Sequence, residues 1–378
     1  MARFLLRKQL YYFFQKESLK ADFWNLPSFF WSKFSSYSAK KMTPLTNGRA
    51  SSPIAIQLYL TEACNLNCKM CFLKQIKSKN NFIPLDIVKK VIKELIYIRP
   101  HYSMTGGEPF LYPEIENLIT YIKSKGLYLS IVTNGTMIED FAEIIVRSGV
   151  DRLSISIDGS PEKHDSIRRI PGAFSKTLSG IKAINNEKKK QNKARPRLAL
   201  FSLLNSGTEE DFLISFAQKN SFKEINFLHL LSITSEDLKR FSESYKIKPH
   251  YWQGAIIDDE DFEIEESLVK KIISYKFNPD TKIKIRFTPN ICETNLRSYY
   301  NKDKNFLDKF KGRCITPWVA ATIKPSSKVE ICPDLPVGDL TRNSFFQIWN
   351  GEKAKYIRRQ IFKGTMLPVC SGCCNYYT

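Results

Sequence analysis

No run of the 378 residues strings together the ~18–20 apolar positions that a membrane-spanning helix needs, so no span is expected. Acidic residues are in short supply: 38 Asp and Glu stand against 58 Lys and Arg, a net charge of +20. That imbalance admits an anionic partner such as nucleic acid, an anionic membrane face or a phosphorylated substrate. The lysines are spread along the whole chain, however. The densest tract, Lys188 to Arg197, joins an expected helix to an expected strand and reads as a solvated turn, so nucleic acid is not the favoured partner. No small-residue cleavage site follows the short, charge-broken apolar stretches at the start, which argues against a signal peptide. A disulfide framework is absent too. The nine cysteines stand mostly in metal-like spacings and point to a reducing, cytoplasmic compartment.

What is present centres on Leu60 to Phe72, LTEACNLNCKMCF, with Cys64, Cys68 and Cys71 at C-x3-C-x2-C spacing. Ile54 to Leu60 alternates as a strand, so three thiolates fall on a short loop past a strand end. Three soft ligands this close suit an iron–sulfur cluster better than a lone hard ion. A zinc knuckle would more often pair C-x2-C with a second such pair. A cubane of four irons wants four ligands, so three cysteines leave one iron open.

The triad resembles the signature of the radical S-adenosylmethionine (SAM) enzymes. The resemblance implies a 4Fe–4S cluster whose open iron chelates SAM, and a 5′-deoxyadenosyl radical that takes hydrogen from a substrate. Met70 departs mildly from the family, where an aromatic residue often precedes the third cysteine.

Around the triad the chain alternates strands and helices. Helices are expected over Pro84 to Ile98, Pro113 to Lys125, Ile138 to Ser148, Ala173 to Glu187 and Glu209 to Asn220, several with Gly or Pro at the stop. Strands are expected to end at Met104 and to cover Leu127 to Thr133, Arg152 to Ile157, Arg197 to Leu204 and Glu224 to Leu231, with a further strand over Lys282 to Phe287. Six strand–helix beginnings predict an α/β fold with a partial (β/α)6 TIM-like barrel. In such barrels the site lies at the C-terminal strand ends. The resemblance implies the same open barrel over residues 51–290 and assigns the SAM contacts. Gly106, Gly107 and Glu108 of TGGEP hold its ammonium group. Ser156 and Asp158 point toward the barrel mouth by strand alternation, and in similar enzymes the serine and Arg168 reach SAM, the arginine pairing with its carboxylate. Asn205 is a further contact. His229, alone in an apolar strand, is a weak acid–base candidate.

Residues 1–50 form a basic aromatic extension. Met1 to Ser18 mixes Phe, Leu and Tyr with Arg and Lys. A second piece, Phe23 to Phe34, holds Trp24, Phe29, Phe30, Trp31 and Phe34, and packing against the barrel or a partner is slightly preferred. Peripheral membrane association through residues 1–40 is the alternative. Residues 291–378 carry the second cysteine set. Cys314 and Cys332 flank an expected hairpin turning at Pro325-Ser326-Ser327, a helix is expected around Phe345 to Ile361, and Cys370, Cys373 and Cys374 close the chain. This region resembles the SPASM/twitch auxiliary-cluster domain. The six cysteines beyond the triad are too few for two fully ligated clusters. One auxiliary 4Fe–4S cluster is expected, held by Cys314, Cys332, Cys370 and Cys373, with Cys374 able to replace Cys373 and zinc as the alternative metal.

These features predict a radical SAM oxidoreductase acting on a small molecule or a peptide, supplied with electrons by a flavodoxin or ferredoxin. The auxiliary cluster accepts an electron in an oxidation. In an epimerisation Cys292 returns hydrogen, although a free cysteine of this kind is more often a buried apolar residue. The alternatives are a radical SAM enzyme modifying RNA and a membrane-associated one acting on a lipid-linked substrate.

Overall fold

The computed structural model describes residues 40–377 apart from 74–80, 206, 230–232, 256–265, 278–282, 302, 311–313 and 366. Residues 1–39 of the basic aromatic extension lie outside the described residues. So do Leu231 and Lys282, at the ends of two expected strands.

Seven parallel strands stand side by side in chain order: β1 (Ala55–Thr61), β2 (His101–Gly106), β3 (Leu129–Thr133), β4 (Arg152–Ser156), β5 (Arg197–Leu204), β6 (Glu224–His229) and β7 (Lys284–Thr288). Alternation splits each strand between two environments. Ile56, Leu58 and Leu60 of β1, Leu129 and Ile131 of β3, and Leu153 and Ile155 of β4 are sealed from solvent. They share one core with Val88, Val91 and Ile92 of helix Leu85–Glu94, and with Leu118, Ile119 and Ile122 of helix Ile115–Ser124. Each such side chain contributes roughly 1.5–3 kcal/mol on burial.

The opposite face behaves differently. Tyr59, Thr105, Val132, Ser156, Phe201 and Leu228, one from each of β1 to β6, line a single cavity. Six neighbouring strands can surround one cavity only if the sheet curls, as in the expected partial barrel. β7 adds a seventh parallel strand beyond the six units counted in the sequence.

The other flank departs from expectation. β8 (Ala320–Ile323) and β9 (Lys328–Cys332) form the anticipated antiparallel hairpin, and β10 (Leu335–Asp339) extends it. β8 then pairs parallel with β1, from Ala55 opposite Ala320 to Leu58 opposite Ile323. The C-terminal region therefore continues the barrel sheet, giving ten strands in the order β10-β9-β8-β1-β2-β3-β4-β5-β6-β7 among the described residues. Without β8, the flank of β1 would be an open edge of unpaired N–H and C=O groups.

The helix expected around Phe345 to Ile361 is two, Phe345–Trp349 and Glu352–Phe362, interrupted at Gly351, whose extended backbone caps the second. The irregular segment after β6 contains helix Ser235–Tyr245, started by a capping box between Thr234 and Asp237. No helix among the described residues is long and apolar enough to cross a membrane.

Candidate functional site

The cysteine loop leaves the C-terminal end of β1 and is held from three sides. From β2, the Gly107 and Glu108 amides donate to the Thr61 and Ala63 carbonyls, both at 2.8 Å. This approach needs glycine: a Cβ on Gly107 would lie 1.9 Å from the Ala63 oxygen, and Gly106 sits at φ +125° with Thr61 O 2.4 Å from its would-be Cβ. From the turn after β3, Asn134 Nδ2 donates to Asn65 Oδ1 at 2.8 Å and reaches Cys64 Sγ at 3.8 Å. From helix Pro161–Arg168, the Ile167 carbonyl accepts from the Lys69 amide at 2.9 Å.

Arg168 completes the hold. Its Nε donates to Asp158 Oδ2 at 2.6 Å and its Nη1 to Cys68 Sγ at 3.5 Å. The guanidinium is nearly buried, and Asp158 and the Cys68 thiol together hold it charged against the cost of burial. His164, sealed in the same helix, accepts the Asp158 amide on Nδ1, and burial pushes its pKa down to about 4, so it stays neutral. Donors therefore point at the thiols from a side-chain amide, a guanidinium and, at 3.5 Å, the Leu66 amide on Cys64. These contacts give the sulfurs hydrogen-bond donors at the rim of the cavity.

The cavity of about 300 Å³ above these groups falls at the low end of small-ligand pockets, ~300–1,000 Å³. Cys64, Cys68, Cys71, Gly106, Gly107, Ser156, Asp158 and Arg168 all line it. The Ser202 hydroxyl, on the same lining, is buried without a partner among the described residues, an orphan that a bound ligand could satisfy. Thiols, glycine backbone and this hydroxyl fit a cluster with SAM beside it.

Glu108 and Asn205 are placed otherwise than expected. Glu108 is fully buried behind the lining. Its Oε1 accepts from Thr133 Oγ1 at 2.8 Å and from the Phe110 amide at 3.2 Å, and its Oε2 accepts from the Asn134 amide at 2.8 Å. It ties β2 to the turn after β3, and burial raises its pKa to about 7. Asn205 closes its own turn, Oδ1 accepting the Gly207 amide at 2.9 Å, and does not line the cavity. His229 is buried with Nδ1 2.5 Å from the Tyr300 hydroxyl, within an aromatic cluster.

A second, more enclosed cavity is lined by Cys314, Cys332, Cys370 and Cys373 among apolar side chains that include Trp252, Ile331 and Ile361. Cys374 is not on its lining. Burial pushes the Cys370 thiol up to about 12 and raises Cys314 and Cys332 as well. Thiols in so dry a place hold their protons unless a metal centre displaces them. Four thiols lining one cavity form a ligand set that fits an iron–sulfur cluster. Cys292 is exposed and lines neither cavity, its Sγ accepting from Asn295 Nδ2 at 2.8 Å.

One loop joins the two cavities. Tyr251 lines the first and Trp252 the second, and Tyr251 also packs on Phe72, with ring centroids 5.2 Å apart. Asp334, between β9 and β10, fixes this loop by accepting the amides of His250, Tyr251 and Trp252, each at 3.0 Å. The sequence alone assigns no role to this segment or to Asp334. A Cys-Pro-Asp turn in a hairpin was the available signal.

Residues 58–195 match the Radical SAM superfamily, and residues 314–374 match SPASM, an iron-sulfur cluster-binding domain. An AdoMet-dependent heme synthase of Methanosarcina barkeri (strain Fusaro / DSM 804) is 37% identical over 147 residues, 38% of this chain and 41% of that protein. A cysteine-type anaerobic sulfatase-maturating enzyme of Clostridium novyi (strain NT) is 26% identical over 61% of this chain and 65% of its own length. The chain thus spans about two fifths to two thirds of these two relatives. Among solved structures, Streptococcus suis SuiB bound to S-adenosylmethionine superposes with a TM-score of 0.63 at 15% identity, covering 88% of this chain and 75% of that one. At that identity the likeness speaks for the fold alone.

Proposed function

We propose that this chain, a radical SAM protein with a SPASM iron–sulfur domain, oxidises a small molecule or a peptide by hydrogen-atom abstraction. When bound, SAM and its cluster supply the 5′-deoxyadenosyl radical, and an auxiliary cluster supplies an electron acceptor. The observation that carries the reading is the pair of thiol-lined cavities sharing the 250–252 loop, since an oxidation needs abstraction and electron uptake close together.

The chain's own residues bind and shield. Cys64, Cys68 and Cys71 would hold the first cluster, and Cys314, Cys332, Cys370 and Cys373 the second. Gly106, Gly107, Ser156 and Ser202 offer backbone and hydroxyl groups to SAM. Arg168 keeps positive charge beside Cys68 and is available to a carboxylate, while Asp158 keeps the arginine in place. Tyr59, Phe72 and Tyr251 form an apolar wall that excludes water from the reacting end. A peptide is a fitting substrate because SuiB, of the same fold, has been solved bound to its precursor peptide SuiA. Reducing electrons would come from a flavodoxin- or ferredoxin-type donor. The exposed position of Cys292 favours oxidation over epimerisation.

Anaerobic reconstitution should load about eight irons per chain, four per cubane. Deuterium should then pass from a labelled peptide or small-molecule pool into deoxyadenosine. Deoxyadenosine formed without any such transfer, or about four irons only, would overturn the reading. Replacing Cys292 with Ala is expected to leave deoxyadenosine formation and product stereochemistry unchanged.

A further inference from the structure

Helix Glu352–Phe362 places Arg358 in the interior of the C-terminal region, with 0% of its surface exposed. Nε donates to the Pro317 carbonyl at 2.8 Å. Nη1 donates to the Trp349 carbonyl at 2.8 Å, with longer contacts to Asn350 Oδ1 at 3.3 Å and Gly48 O at 3.4 Å. The guanidinium stacks on the Trp349 ring at 4.4 Å. Nη2 is buried with no acceptor among the described residues.

All of these partners are neutral. Among the described residues no carboxylate comes within ion-pair distance of Arg358. Its acceptor Pro317 directly follows Thr316, and its helix carries Ile361 one turn on; Thr316 and Ile361 both line the cavity of Cys314, Cys332, Cys370 and Cys373, so the guanidinium sits just behind that lining. A buried cation without an anion is among the costliest arrangements in a protein, and it persists only when a counter-charge arrives. Burial pushes its pKa down to about 9, which still leaves it cationic at neutral pH. Two other charged groups bear on these thiols: Lys40, which faces Cys314, and the buried Glu330, whose own pKa is raised to about 7.

Resting on the auxiliary-cluster reading above, we infer that Arg358 is the internal counter-charge of the Cys314, Cys332, Cys370 and Cys373 centre and sets its reduction potential. A cluster on four thiolates is anionic and gains a further negative charge on reduction. A fixed buried cation therefore stabilises the reduced form more than the oxidised one and raises the potential. Arg358 is a positioning residue in this sense and needs no contact with substrate.

The test is an EPR-monitored redox titration of the reconstituted full chain, with Cys64, Cys68 and Cys71 replaced by Ala so that only the auxiliary signal remains. In that chain Arg358→Gln should lower the midpoint potential by at least about 59 mV, a tenfold change in a one-electron equilibrium. Arg358→Lys, which keeps the charge, should stay close to the parent and serves if the Gln variant does not fold. Two loading experiments read the same proposal. Metal-free Arg358→Gln should lose less thermal stability than the loaded protein does, because only the loaded form loses a charge pair. An unchanged potential in Arg358→Gln, a fall in Arg358→Lys as large as a charge loss would give, or equal destabilisation of loaded and metal-free forms would overturn the inference. Absence of any auxiliary cluster by iron count would instead sink the reading on which it rests.

Discussion

Arg168 meets two demands with one side chain, neutralising Asp158 and donating to the Cys68 thiol. Replacing it with Gln strands a buried carboxylate, which should cost roughly 3–5 kcal/mol in chemical denaturation. Adding Asp158→Asn should recover part of that loss, a coupling that a double-mutant cycle reads directly. Glu108 gives a pH signature. Burial lifts its folded pKa to about 7 from its ordinary value of 4.5. Between those values the folded state keeps a proton that the unfolded state has released, so this group's contribution is full below about pH 4.5 and fades as pH rises through about 7. Urea midpoints of the wild type should therefore fall across that window, and the slope should flatten in Glu108→Gln. The sequence announced both residues as functional, but could not show Glu108 facing three protein donors. Hydrogen-bond partners from β3 and the turn after it leave no trace in a local motif. Arg358 was invisible for a related reason: one arginine in an amphipathic helix reads as a solvated charge until its neighbours are known.

At the level of elements, the seam between β2 and the cysteine loop is the tightest point of the site. Gly107→Ala would drive a Cβ to 1.9 Å from the Ala63 oxygen, a backbone atom that cannot swing away. The loop should shift, and reconstituted protein should lose about half its iron, four of eight, while the auxiliary EPR signal survives. Helix Ile138–Ser148 and strand β4 could be read almost to the residue. Their apolar spacing and the left-handed stop at Gly149 are short-range signals. Helix Ser235–Tyr245 went unseen although Thr234 and Asp237 form a capping box. Its mean hydropathy is low and Phe241 is its one buried side chain, so few apolar residues mark its inner face.

For the whole molecule, the parallel pairing of β8 with β1 matters most, and nothing in either strand's composition predicts it. Both are short apolar strands, and their meeting joins residues 265 positions apart, Thr322 donating to Gln57 at 3.2 Å. The sheet therefore runs unbroken across the boundary expected near residue 290. Cutting the chain after residue 290 should expose the edge of β1 together with the apolar surface beneath Trp318 and Trp349, both fully buried. Aggregation on size exclusion is the expected result, and a monodisperse 51–290 fragment would contradict it.

That seam also governs how such a protein can be recombined. A C-terminal module transplanted from a relative would arrive with a strand shaped for a different neighbour, while this barrel would still present β1. Chimeras ought to work when donor and host exchange both sides of the join, so β1 and the hairpin would travel through recombination as linked cargo.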